Sequence, residues 1–244
     1  TVFKINPDDT HTPVVHFRGF AGSINKGAAP EGVLTKDADG FFWGTTADGG
    51  APNRGTVFKV HAASGTVTTV REFTGTAGAV KGASPRAGLT ADGQGFFWGT
   101  TLYGGTADLG TVFKVNRITG VLTTVLEFTG TAGPFPGREP RARLVASEDG
   151  FLWGSTSFGG TADLGTLFKI STASGALTTL YEFTGVTGAV PGSEPRGTLL
   201  RETSAAWWGT RRAASSGVRA MPSRTSYSTT REASGPGRAM LSSP

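Results

Sequence analysis

The 244-residue chain contains no cysteine. Disulfide staples and thiolate metal sites are therefore excluded, while the compartment stays open, because exported bacterial proteins often manage without disulfides. Only three histidines occur, His11, His16 and His61. They follow neither a repeat nor a metal-ligand spacing and read as surface residues. No run of 18 apolar residues is present, so no transmembrane segment is expected. The Gly-x-Ser-x-Gly nucleophile turn and the phosphate-cradling glycine loop are missing too. Asp37-Ala38-Asp39-Gly40 looks like part of a calcium loop, but the first and twelfth ligand positions fall on Thr35 and Thr46, which defeats the motif. No catalytic, cofactor-binding or metal-ligating residue is assigned, and no cofactor is expected.

Acidic residues nearly vanish toward the C-terminus. Beyond residue 202 there are six arginines and a single acid, Glu232, which accounts for the whole net charge of +5. The first 202 residues are balanced, so the basic pI does not point to nucleic acid, and no nucleic-acid partner is expected.

What the chain has in abundance is glycine, 38 residues, in a strict period. Trp43, Trp98, Trp153 and Trp208 stand 55 residues apart, as do Phe3, Phe58, Phe113 and Phe168, and Pro30, Pro85, Pro140 and Pro195. A fixed step of this size marks a repeat architecture. In the copy spanning 140–194, residues 141–146 read as a first strand after Pro140. Asp149-Gly150 supplies a hairpin turn, and residues 151–156 a second strand. A Gly159-Gly160 turn follows, then a third strand over 166–170 and a fourth over 176–183. Four hairpin-linked strands cannot bury both faces alone. Repeated, they match the blades of a β-propeller; a β-solenoid is the rival, but its rungs are usually much shorter. The expected fold is therefore all-β, a propeller-type repeat of four-stranded antiparallel blades, either incomplete or four-bladed.

The units run 30–84, 85–139 and 140–194, with a partial unit over 1–29 and the start of another over 195–202. Residue 1 falls inside a repeat, so the chain reads as a piece of a longer array. From 203 to 244 the pattern decays: Ser204-Ala205 stand where Asp-Gly is due, and Ser223 where Phe is due. This stretch is expected to be a degenerate or disordered basic tail, or one translated out of frame.

The repeated Trp and Phe read as core anchors, and Lys4, Lys59, Lys114 and Lys169 as stems along the blade with solvated heads. Glu72, Glu127 and Glu182, with Arg86, Arg141 and Arg196, admit an ion pair between neighbouring blades; their periodicity favours that over catalysis, which needs one asymmetric constellation. Asp108 and Asp163 read as turn residues. Tyr103 and Phe158, at matching loop positions after the second strand, are the candidate binding contacts; the first copy carries Asp48 there.

The pattern Asp-Gly-x-x-Trp-Gly-Thr-Thr, Gly-Gly, Gly-Thr-Val-Phe-Lys and a Thr-Thr-rich strand ending in Phe-x-Gly resembles the GloVer tandem repeat of bacterial secreted and surface proteins. Its best copies are 95–115 and 150–170. The resemblance implies a propeller-like fold and an extracellular or cell-surface location, and it implies no particular reaction. The expected function is a binding or scaffold module for a protein or carbohydrate ligand. The alternatives are a hydrolase or lyase acting on a polysaccharide or small molecule at the propeller axis, and a degenerate reading frame without a function of its own.

Overall fold

A computed structural model describes residues 1–19, 25–202, 206–212 and 226–227. The described chain is all-β and consists of antiparallel meanders in sequence order. A two-stranded sheet, β1 (Val2–Ile5) and β2 (His11–Val15), comes first. Three four-stranded blades follow. The first is β3 (Thr35–Lys36), β4 (Phe41–Thr46), β5 (Thr56–His61) and β6 (Val67–Glu72). The second is β7 (Thr90–Ala91), β8 (Phe96–Thr101), β9 (Thr111–Asn116) and β10 (Leu122–Glu127), and the third β11 (Val145–Ala146), β12 (Phe151–Thr156), β13 (Thr166–Ser171) and β14 (Leu177–Glu182). Last come β15 (Leu200–Arg201), β16 (Trp207–Trp208) and β17 (Ser226–Tyr227). Most of the 203–244 stretch, on which the expectation of a degenerate tail falls, lies outside the described residues.

Two features depart from the local reading. The first strand, expected over 141–146, shrinks to Val145–Ala146, and its counterparts are equally short. Here the blades approach one another, and backbone groups are used between blades instead of within one. Thr35 Oγ1 donates to the Leu89 carbonyl at 2.6 Å and Thr90 Oγ1 to that of Leu144 at 2.5 Å. Each fourth strand also carries one extra residue, Val70, Val125 or Leu180, where the ladder register slips. Such a bulge raises the local twist that lets successive blades splay.

The first strands mark the inner edge. β7 and β11 lie in contact, and a Cβ added at Gly32 would fall 2.5 Å from the Gly88 backbone nitrogen. The core lies between blades. Trp43 and Phe97 meet at 5.0 Å between ring centroids, as do Phe73 and Phe113, and Trp153 stacks on Trp207 at 4.5 Å. In the blades the third-strand Phe58, Phe113 and Phe168 are fully buried. Phe58 lies opposite Gly44 in the ladder, where a Cβ would meet its ring at 2.7 Å. The glycine after the tryptophan thus clears room for the phenylalanine. Phe3 is 56% exposed, since β1 pairs with β2 along one edge and has no strand along the other among the described residues.

The tryptophans are core residues in the three blades, but Trp208 is 42% exposed. Each buried indole also has to place its N–H. Trp43 donates to Asp37 at 2.8 Å and Trp98 to Asp92 at 2.9 Å; the same carboxylates cap the hairpin amides of Phe41 and Phe96. Asp92, two residues off the Asp-Gly register, is therefore the counterpart of Asp37. In the third blade this position is Ser147, whose hydroxyl lies against the Asp149 carboxylate and the Phe151 carbonyl, and the buried Trp153 Nε1 has no partner. Leaving a buried donor unpaired costs about 1–3 kcal/mol. Ser147→Asp is expected to stabilise the chain by about 1–2 kcal/mol in urea denaturation; an unchanged or lowered midpoint counts against this account of the indole.

The lysines after the third-strand Phe do more than solvate. Lys59 Nζ sits 4.5 Å from the Phe41 ring centroid, Lys114 Nζ 4.7 Å from Phe96 and Lys169 Nζ 4.3 Å from Phe151, with the neighbouring tryptophan within 6.0 Å in each blade. The cation caps the aromatic pair of the second strand.

Candidate functional site

The loops joining second and third strands, residues 47–55, 102–110 and 157–165, share one frame. At its base the hydroxyls of Thr46 and Thr56 meet at 2.9 Å, and those of Thr101 and Thr111, and of Thr156 and Thr166, at 2.8 Å, all buried. The second-strand threonine also reaches the carbonyl of the loop's second residue: Thr46 to Asp48 at 2.9 Å, Thr101 to Tyr103 and Thr156 to Phe158 at 2.8 Å. Higher up, the Gly49 amide donates to Asn53 Oδ1, Gly104 to Asp108 and Gly159 to Asp163, at 2.7–2.8 Å. Asp108 and Asp163 are turn residues that lock the loop, as their short polar side chains permit.

The preceding connector closes the frame from the other side. Ala28 bridges Asp48, Ala83 bridges Tyr103 and Arg138 bridges Phe158 through paired backbone hydrogen bonds. One rim is thus a belt of interlocked backbone, with the fold holding the main chain constant while the side chain at the tip varies.

The fourth-strand glutamates stiffen this belt. Glu72 accepts the Ala51 amide and Lys26 Nζ, both at 2.5 Å; Glu127 accepts the Thr106 amide at 2.5 Å and Lys81 Nζ at 2.8 Å. Glu182 holds the amide and hydroxyl of Thr161 at 2.6 Å. The partners are connector lysines and loop amides. The arginines Arg86, Arg141 and Arg196 pair elsewhere, with Glu31, Glu139 and Glu194. Burial pushes the Glu127 carboxyl up, but Lys81 and the Thr106 amide outweigh it, and the group lies below its ordinary value of 4.5. A lowered folded pKa contributes stability above the ordinary value, lost as pH falls through the folded one. The melting temperature is therefore expected to drop on acidification below about pH 4.5, and less steeply in Glu127→Gln. Equal slopes for the two proteins would remove Glu127 from the acid response.

The structure brings Tyr103 and Phe158 to equivalent places on this rim. Tyr103 is 39% exposed. Phe158 is half-buried, because the Arg138 guanidinium lies 4.4 Å over its ring and forks onto Asp163 at 3.0 and 2.8 Å. Hydrogen bonds from Arg138 hold the Asp163 carboxyl below its usual range. Sequence reading missed Arg138. The available signal was a charge at a position where the earlier copies carry Ala28 and Ala83. Asp48, the first-copy counterpart, is exposed. Among the described residues, no group of three His, Asp or Glu side chains is placed to hold a metal ion, and no helix is long and apolar enough to cross a membrane.

A family model described as the Gloeobacter/Verrucomicrobia repeat matches residues 1–219. Among curated proteins no relative matches. Of solved structures, a chain of a nidogen/laminin complex superposes with a TM-score of 0.51 at 12% identity, covering 86% of this chain and 65% of that one. The extracellular domain of a putative one-component system, BT4673 from B. thetaiotaomicron, gives 0.50 at 10% identity, over 75% of this chain and 20% of that one. This chain thus spans less than two thirds of either. At such identities the likeness is one of fold, and it agrees with the propeller-type blades described above.

Proposed function

The chain belongs to the Gloeobacter/Verrucomicrobia repeat family, and from that premise we propose that it is an extracellular or cell-surface binding or scaffold module whose contacts are made by the loop rim. The observation that carries this reading is the constant frame with changing tips. The same threonine, glycine and Asx hydrogen bonds hold Asp48, Tyr103 and Phe158 in turn. Rigid scaffolds that present variable loops are the usual basis of recognition, and an aromatic side chain on fixed backbone loses little entropy on contact. The similarity in fold to the extracellular domain of BT4673 is in keeping with the location. Glu127 is engaged on the Thr106 amide and Asp163 on Arg138, which favours binding over hydrolysis.

The test is a panel of soluble polysaccharides and purified extracellular proteins read by biolayer interferometry, with Tyr103→Ala/Phe158→Ala as the partner sample. Binding is expected to weaken about tenfold or more in the double variant, as loss of aromatic anchors does, without a change in melting temperature for Tyr103→Ala alone. A ligand held equally by both proteins would place recognition away from these tips.

A further inference from the structure

Arg143 breaks the repeat. The equivalent positions are Val33, Gly88 and Thr198, so this is a single charge set into the inner edge of the blades. Its guanidinium spans three blades: Nε donates to Thr90 Oγ1 at 3.1 Å and Nη2 reaches Thr35 Oγ1 at 3.4 Å. Both hydroxyls spend their own protons on the Leu144 and Leu89 carbonyls, so they face Arg143 as acceptors. Two of the five guanidinium N–H groups are thereby placed. The remaining edge, with both N–H groups of Nη1, has no partner among the described residues, and it is not among the enclosed polar atoms.

Several other arginines behave differently. Arg86, Arg117, Arg138 and Arg141 each lie against an Asp or Glu. No carboxylate of the described residues is within ion-pair distance of Arg143, and burial lowers its pKa with nothing opposing it. A half-buried guanidinium retained without a counter-ion, fixed by two hydroxyls and open along one edge, is arranged as a receptor.

We propose that the inner edge around Arg143, Thr35 and Thr90 binds the carboxylate of a small acidic ligand, such as an acidic sugar. A single positive charge among neutral hydroxyls matches a monoanion, whereas a phosphate dianion calls for a second cation. The planar fork of the guanidinium suits the two oxygens of a carboxylate. This site is separate from the loop rim and stands or falls without it.

The experiment is calorimetric titration with sodium glucuronate, sodium acetate and sodium phosphate at one ionic strength set with sodium chloride. Saturable binding of glucuronate is expected, weakened about tenfold or more in Arg143→Gln and less in Arg143→Lys, which keeps the charge but loses the fork. Ile118→Ala, at an exposed turn to which neither site is assigned, is expected to leave this binding unchanged. A nitrogen-detected NMR titration of the wild-type chain gives a readout that needs no variant to fold: the Arg143 Nε–Hε resonance shifts with glucuronate. No saturable carboxylate binding, undiminished binding in Arg143→Gln, a preference for phosphate, or an unmoved Nε–Hε resonance would each overturn the proposal.

Discussion

Trp98→Ala is expected to lower the free energy of unfolding by about 3–5 kcal/mol, the usual cost of emptying a buried aromatic site. Trp98 is fully buried in the cluster between the second and third blades, with Val112, Phe128, Leu144 and Leu152 among its neighbours. Truncation opens a cavity there, takes the indole N–H from Asp92 and removes the ring beneath Lys114. Domains hold only about 5–15 kcal/mol in total, so the loss is a large share. Trp208 occupies the same place in the repeat but is 42% exposed. Its replacement by alanine is expected to cost under about 1 kcal/mol, in the range of surface changes away from special features. Urea denaturation of the two variants decides the matter. Equal losses would mean that the indole matters by its place in the motif and not by its burial.

Gly104→Ala is expected to rank beside it. Gly104 has φ +82°, and a Cβ there would run into backbone atoms of Gly82 in the connector, well inside 3.0 Å. The left-handed conformation costs an L-residue roughly 1–2 kcal/mol. Overpacking adds about 1–3 kcal/mol, because rigid backbone is what must move. Gly93 provides the control, with φ +76° but nothing within 4 Å of the place a methyl group would take. Gly93→Ala carries the conformational cost alone, and Gly93→Asn less still, since Asn tolerates this region. A Gly104→Ala midpoint no lower than that of Gly93→Ala would mean that the connector gives way freely. The rim belt would then be soft, which weakens the case for recognition by fixed tips.

Much of the architecture is written locally. The 55-residue spacing of tryptophan and phenylalanine, the Asp-Gly turns and the aromatic and hydroxyl-rich run over residues 151–156 specify strands, hairpins and blade order, because strand formation and hairpin pairing between chain neighbours depend on side-chain type and turn chemistry. The aromatic core of the three blades follows from the same pattern. The candidate tips Tyr103 and Phe158 were legible as a position in the repeat, but Arg138, which lies over one of them, was visible only as an oddity in an alanine column.

Packing in three dimensions separates what the repeat leaves identical. Phe3 and Phe113 occupy one motif position, yet one is exposed and the other buried, because burial depends on whether a neighbouring strand lies alongside. Glu127 takes Lys81 instead of an arginine because the connector's path brings that lysine to it. The Trp153 indole has no acceptor because Ser147 stands where the other blades place Asp37 and Asp92. Arg143 acquires meaning only when three inner strands meet, since Thr35 lies 108 residues away along the chain. The blade follows from the order of residues alone, because its hydrogen bonds close over short separations. The fit of one blade against the next fixed which charges are paired and which side chains face solvent, because those contacts join residues whose nearness no local pattern encodes.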